Sequence, residues 1–149
     1  MSRPPVVSVI ICVYNGVAFL RETLESVCHQ TMADFEILAV DDGSTDGSRE
    51  LLASFPDPRL IVLERPHSGV VRTLSTGLEA ARGRYVGILD QDDIWLPEKL
   101  ESHSRVLERE LDVDVTFSWH GVIDNDSNPI GLRSGLIWFH DPPIQGSTT

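Results

Sequence analysis

The sequence predicts an α/β chain with a mostly parallel sheet flanked by helices. Nearly continuous apolar runs rich in β-branched residues, such as Val6 to Val13, have the pattern of strands buried on both faces. Between them lie segments whose apolar residues recur at helical spacing. Strands alternating with helices call for right-handed crossovers and hence parallel pairing.

The elements follow in order. Tyr14-Asn15-Gly16 breaks the first strand, and Phe19, Leu20, Leu24, Val27 and Cys28 form the apolar face of a helix running to about Gln30. Phe35 to Val40 is the second strand. Ser48 to Phe55 is a short helix carrying Leu51, Leu52 and Phe55, ended by Pro56 and Pro58. Leu60 to Leu63 is the third strand. His67-Ser68-Gly69 opens a third helix with Val71, Leu74, Leu78 and Ala81 inward and Gly83 as C-cap. Tyr85 to Leu89 is the fourth strand. Pro97 suits the first turn of a helix continuing through Leu100, Val106, Leu107 and Leu111. Val113 to Ile123 reads as a fifth strand, and the turn signal Asp124 to Pro129 leads to a returning strand or hairpin arm over Ile130 to Ile137.

Two strands end in acids. Asp90, Gln91, Asp92 and Asp93 follow the fourth, and Asp41 and Asp42 follow the second. Asp is favoured in turns and at N-caps, and that reading suits Ser44 and Asp46. Three carboxylates within four residues repel one another unless a cation lies between them, and hard ions such as Mg²⁺ or Mn²⁺ prefer oxygen ligands. Asp92 is the first choice as metal ligand. Asp90 and Asp93 serve as a second ligand or as acceptors for ribose hydroxyls and metal-bound water. Parallel strands put both acidic ends at one sheet edge, where ligands of open α/β sheets bind.

At the same edge, Tyr14 and Asn15 offer an aromatic face and an amide to a nucleobase, and Asp41 or Asp42 could accept from a base N–H or ribose. Gly43 lets the chain turn there. Arg72, on the first turn of the third helix, could reach a diphosphate or simply stay solvated. Trp95 and Pro97 fix the path of the acidic segment or pack at a helix start. His67, His103, His120 and His140 show no metal-type spacing and read as satisfied or solvated side chains.

At 149 residues the chain has room for one domain, 1–149, with its core at about 6–125. Twelve basic against twenty-three acidic residues argue against nucleic acid or an anionic membrane as partner. Cys12 and Cys28 read as reduced core thiols. No window approaches 18 apolar residues and no signal-peptide pattern precedes the first strand, so the chain is expected in the cytoplasm, with attachment at the inner membrane face left open. Residues 126–149 read as the start of an added region or a frayed tail, where exposed Trp138 and Phe139 offer a surface for self-association.

Ser8 to Gly16, Val40 to Asp46, and Asp90-Gln91-Asp92-Asp93 followed by Trp95 and Pro97 together resemble the N-terminal half of a family 2 glycosyltransferase. The resemblance covers about residues 6–125. It implies a Rossmann-like GT-A fold for nucleotide-diphospho-sugars, C-terminally truncated here. It also implies inverting transfer from a nucleotide-sugar donor, plausibly a UDP-sugar, to a glycan or lipid-linked acceptor. By the same resemblance Asp92 holds Mn²⁺ or Mg²⁺ on the donor diphosphate, and Asp90 takes a ribose or metal-water role. Cys12, Val13, Tyr14 and Asn15, with Asp42 and Asp41, hold the base and ribose, and Gln91 joins the donor contacts. Two departures stand out. Thr73-Leu74-Ser75 replaces the family's Ala-Arg-Asn before Gly77, and no counterpart of its later acidic base precedes Thr149. Two rivals remain. One is a binding or interaction module that has lost chemistry. The other is a nucleotidyltransferase, which usually needs a glycine-rich phosphate loop that Val13 to Arg21 does not provide. A receiver-type domain would carry its paired acids after the first strand.

Overall fold

The structure, a computed structural model, describes residues 3–118 and 120–133. The chain divides into two units, up to Asp114 and from Val115. In the first, β1 (Val7–Val13), β2 (Phe35–Asp41), β3 (Leu60–Glu64) and β4 (Tyr85–Asp90) form one parallel sheet in the order β3-β2-β1-β4. The helices are α1 (Val17–Cys28), α2 (Ser48–Ser54), α3 (Val70–Ala80) and α4 (Lys99–Arg109). None of the described helices is long and apolar enough to cross a membrane.

The central strands are mostly apolar because both faces are covered. Val9, Ile11, Val13, Ile37 and Ala39 pack with Leu20, Leu24 and Val27 of α1, Leu51 and Leu52 of α2 and Leu100 of α4. On the other face Ile10, Leu38 and Val40 meet Leu74, Ala80 and Ala81. Burying each such large side chain contributes about 1.5–3 kcal/mol. Strands β2 and β3 are added on one side of β1 and β4 on the other, so a crevice opens at this switch point, outside the carboxyl ends of β1 and β4.

Several expectations change. Phe19, Val71, Leu78, Val106 and Leu111 are exposed rather than inward. The reason on α3 is steric: the helix lies on the sheet through buried Thr73 and Gly77, and a Cβ at Gly77 would meet Ile10 Cγ2 at 2.5 Å. This close approach turns Val71 and Leu78 to the flanks. Gly83 is not a C-cap, since α3 ends at Ala80 with Ala81 in extended conformation and Gly83 does not have positive φ. Its backbone crosses β1 so closely that a Cβ would stand 2.4 Å from Ser8 N and 2.7 Å from Val7 C. Buried Ser8 and Glu36 fasten the same crossing. Ser8 Oγ donates to Glu36 Oε1 at 2.7 Å and accepts from Gly83 N at 2.8 Å, while the Arg82 guanidinium pairs with Glu36 Oε2.

In the second unit β5 (His120–Ile123) pairs antiparallel with β6 (Pro129–Arg133) around the turn held by Asp124. Of the expected fifth strand, the described residues show His120–Ile123 as strand, paired with the hairpin arm, while residues 113–118 are not in strand conformation. The part of that arm beyond Arg133, with Trp138, Phe139 and His140, lies outside the described residues.

Gly83→Ala is expected to destabilise the protein by about 1–3 kcal/mol through backbone overpacking, measured as the urea midpoint at unchanged slope. Gly131→Ala, where a Cβ meets nothing within 4 Å, should change stability by no more than about 0.5 kcal/mol. Equal midpoints for the two variants would contradict the steric account.

Candidate functional site

The crevice is a cleft of about 300 Å³ lined by Cys12, Val13, Tyr14, Asp42, His67, Gly69, Val70, Thr73, Asp90, Gln91 and Asp92. Its size suits a small ligand. It is built from strand ends. Cys12 pairs with Val40 on one side and Asp90 on the other, which brings the tips of β1, β2 and β4 into register.

The turn after β1 is held from outside. Four successive N–H groups have no strand partner, and each donates to a side chain of a neighbouring loop. Tyr14 N–H donates to Gln91 Oε1 at 2.9 Å, Asn15 N–H to Ser44 Oγ at 3.0 Å, Gly16 N–H to Ser48 Oγ at 3.0 Å and Val17 N–H to Asp46 Oδ2 at 3.0 Å. Asp46 also accepts from Ser48 N–H, so it bonds the first N–H of both α1 and α2, although the N-cap residues of the two helices are Gly16 and Gly47 rather than Asp46 or Ser44. Asn15 sits at φ 50, a conformation Asn tolerates, and its Oδ1 accepts from Thr45 N–H at 2.8 Å.

Asp42 is only 3% exposed and is surrounded by hydrogen-bond donors. It accepts from Ser68 N–H, Ser68 Oγ and Gly69 N–H at 2.8 to 3.1 Å. His67 Nδ1 lies 2.9 Å from its Oδ2, and Arg65 Nε stands at 3.6 Å, an ion-pair distance. Burial by itself would raise the Asp42 carboxyl. The Ser68 and Gly69 N–H groups, then the Thr73 and Ser68 hydroxyls, outweigh it and hold the group down at about 2 from its ordinary 3.8. Gly43, at φ +81, is required here, because a Cβ would meet His67 N at 2.9 Å. The His67 ring stacks on Tyr14 with centroids 4.2 Å apart and planes at 26°. His67 thus lines the cleft as a satisfied side chain, one of the two readings its spacing left open. Its signal in the sequence was the Gly69 two residues on, whose N–H reaches Asp42.

Asp90 and Asp92 line the acidic end and are both exposed. Among the described residues no three His, Cys, Asp or Glu groups converge on one point. Two hard oxygen donors opening on a cleft still fit a divalent ion that shares its shell with a phosphate ligand and water, the usual habit of Mg²⁺. The segment is anchored by α1. Thr23 Oγ1 donates to Gln91 O, Ser26 Oγ accepts from Trp95 N–H, and Gln30 Nε2 donates to Leu96 O while its Oε1 accepts from Leu100 N–H. The Trp95 ring lies over Gly87, where a Cβ would meet Cη2 at 2.8 Å. Trp95 does fix the loop's path.

Four predicted residues are not brought to the cleft. Asp41 is fully buried, its carboxylate held by Ser44 N–H and Arg49 Nε, so its place is inside the loop rather than against a ligand. Asn15 is spent on Thr45. Arg72 is exposed and about 100° around the helix from Thr73, so it leaves the wall to Gly69, Val70 and Thr73. Asp93 forms the turn, its N–H donating to Asp90 O at 3.2 Å. Cys12 lines the floor, where burial, then the charges of Asp90 and Asp42, raise its thiol and keep it neutral. Both cysteines are free.

The family model described as glycosyl transferase family 2 matches residues 8–144. An uncharacterized glycosyltransferase of Methanocaldococcus jannaschii is 34% identical over 129 residues, 83% of this chain and 44% of that protein. TuaG of Bacillus subtilis, named as a candidate teichuronic acid biosynthesis glycosyltransferase, is 35% identical over 129 residues, 85% of this chain and 51% of its own. The chain thus spans about half or less of the length of these curated relatives. In fold it is similar to S. aureus TarS 1-349 in complex with UDP-GlcNAc, with TM-score 0.68 and 23% identity over 79% of this chain and 38% of that one. The mannosyltransferase PcManGT from Pyrobaculum calidifontis, in complex with GDP-Man and Mn²⁺, aligns with TM-score 0.55 and 32% identity over 63% of this chain and 29% of its own.

The lowered Asp42 carboxyl has a pH signature. A folded value below the unfolded one contributes stability that is complete above the unfolded value of 3.8 and disappears as pH falls toward about 2. The stability gap between wild type and Asp42→Asn, measured by chemical denaturation, should be constant above about pH 5 and shrink steadily below pH 4. A gap independent of pH would contradict the hydrogen-bonded carboxylate.

Proposed function

Because this chain belongs to glycosyl transferase family 2, we propose that its cleft is the donor site of a glycosyltransferase and takes a nucleoside diphosphate sugar with a divalent metal. The observation that carries this reading is the meeting in one cleft of an aromatic face, Tyr14, a buried anionic acceptor, Asp42, and two exposed carboxylates, Asp90 and Asp92. Tyr14 presents a ring on which a base stacks, and Asp42, ionised at neutral pH, accepts a base N–H in exchange for one of its present donors. Uracil, with its single ring N–H between two carbonyls, suits that acceptor. GDP is the comparison ligand, since one structural neighbour holds GDP-Man.

At the other end Asp92 is the metal ligand and Asp90 a ribose or metal-water contact. The metal, Mn²⁺ or Mg²⁺, would neutralise charge developing on the leaving diphosphate. Thr73 and Leu74 stand where the resembled family carries Ala and Arg, and Leu74 packs into the core. Charge on the diphosphate then falls to the metal rather than to α3. Inversion at the anomeric carbon needs a base beside the acceptor hydroxyl, and no residue is assigned to it. A glycan or lipid-linked acceptor at the inner face of a membrane completes this reading, and the naming of TuaG for teichuronic acid biosynthesis agrees with its cell-surface polysaccharide part alone.

Calorimetric titration of UDP, and of GDP, in Mn²⁺ and then in chelator tests the proposal. Binding strengthened at least about tenfold by Mn²⁺ is expected for wild type, with that gain absent in Asp92→Ala at nearly unchanged stability, since exposed substitutions cost little. Undiminished metal dependence in Asp92→Ala would remove the metal assignment. Failure of a folded wild type to bind either nucleotide would remove the donor site.

A further inference from the structure

Gln91 lies between the two cleft acids, yet its side chain is turned back across the mouth of the sheet. Its Oε1 accepts from Tyr14 N–H at 2.9 Å and its Nε2 donates to Tyr14 O at 3.2 Å. A backbone N–H can only donate and a carbonyl only accept, so this amide orientation alone satisfies both. The parallel pairing of β1 with β4 ends at Cys12 and Asp90. A carboxamide carries the same donor and acceptor as a peptide group, so the Gln91 side chain adds one more rung to the ladder after the backbones have parted.

Three further features fit this rung. The peptide of Gln91 is held from behind, with the hydroxyl of Thr23, 1% exposed, donating to Gln91 O at 2.8 Å. The space in front is kept open by Gly16, where a Cβ would stand 2.2 Å from Gln91 Oε1. The side-chain chemistry is specific as well. Glu would set a second acceptor against Tyr14 O, Asn is a methylene short, and Met has neither group.

Resting on the donor-site reading, we infer that Gln91 is a positioning residue coupling the Tyr14 wall to the Asp90–Asp92 edge. The base end and the diphosphate end of the cleft are thereby held at one spacing. This revises the expectation that Gln91 is a substrate contact: its amide is engaged by the protein and acts on the ligand through Tyr14.

The experiment compares wild type, Gln91→Met, Tyr14→Ala and the double variant by UDP titration in Mn²⁺ and in chelator, with Thr23→Val as an independent way of loosening the same peptide. Losing two hydrogen bonds of ordinary strength should weaken UDP at least about fivefold in both conditions. Tyr14→Ala should cost far less in the Gln91→Met background than in wild type, and Thr23→Val should shift affinity in the same direction. A direct contact would instead give independent, multiplying losses, and that result, or unchanged affinity in Gln91→Met, would overturn the coupling while leaving the donor site standing. A wild type that binds no nucleotide would overturn both. Amide hydrogen exchange at Tyr14 reads the rung without nucleotide: protection should fall at least about fivefold in Gln91→Met, and unchanged protection would also overturn it.

Discussion

The site depends on how one turn satisfies its backbone. Where β1 ends, residues 14–17 carry four N–H groups with no strand or helix partner, and leaving the buried one, at Gly16, unpaired would cost about 1–3 kcal/mol. Gln91, Ser44, Ser48 and Asp46 take them one by one. Two of these acceptors, Ser44 and Asp46, come from the loop after β2, Ser48 from the start of α2, and Gln91 from the loop after β4. The turn cannot form without both loops in place, so the three strand ends that frame the cleft are specified together.

That arrangement explains the division of labour among the acids. Asp41 and Asp46 are spent on backbone N–H groups and, for Asp41, on Arg49, and they hold shape. Asp42 is ringed by donors yet lines the cleft, so its charge is fixed and available to a ligand that can replace a donor. Asp90 and Asp92 are exposed and face solvent within the same cleft. Identical side chains, adjacent in the chain in the case of Asp41 and Asp42, differ in role because burial and hydrogen bonding differ.

Much of the fold was legible in periodicity. All four strands of the sheet and all four helices lie within a few residues of the expected bounds, since runs such as Val9-Ile10-Ile11 leave only a doubly covered strand as a good solution. The inward face of α3 was not legible, because Gly77 and Thr73 carry no hydropathy signal and yet decide how closely the helix approaches Ile10. Gly83 misled for a related reason. A glycine just past a helix suggests a cap, whereas here it makes room for another strand's backbone 75 residues away in sequence at Ser8.

The sequence by itself determined the sheet edge at which acids and an aromatic ring gather, and with its three motifs the family to which the chain belongs. Chain direction decides which end of each strand a residue occupies, and the period of two decides which face of the sheet its side chain lies on. Only the tertiary structure decided which of those residues face the cleft. Asp42 ringed by Ser68 and Gly69, Asn15 bound to Thr45, and the Gln91 amide bonded to the Tyr14 backbone all turn on hydrogen bonds between segments far apart in sequence. Such partners leave no local pattern, because a carboxylate or amide is the same group whether water, a ligand or a distant N–H satisfies it.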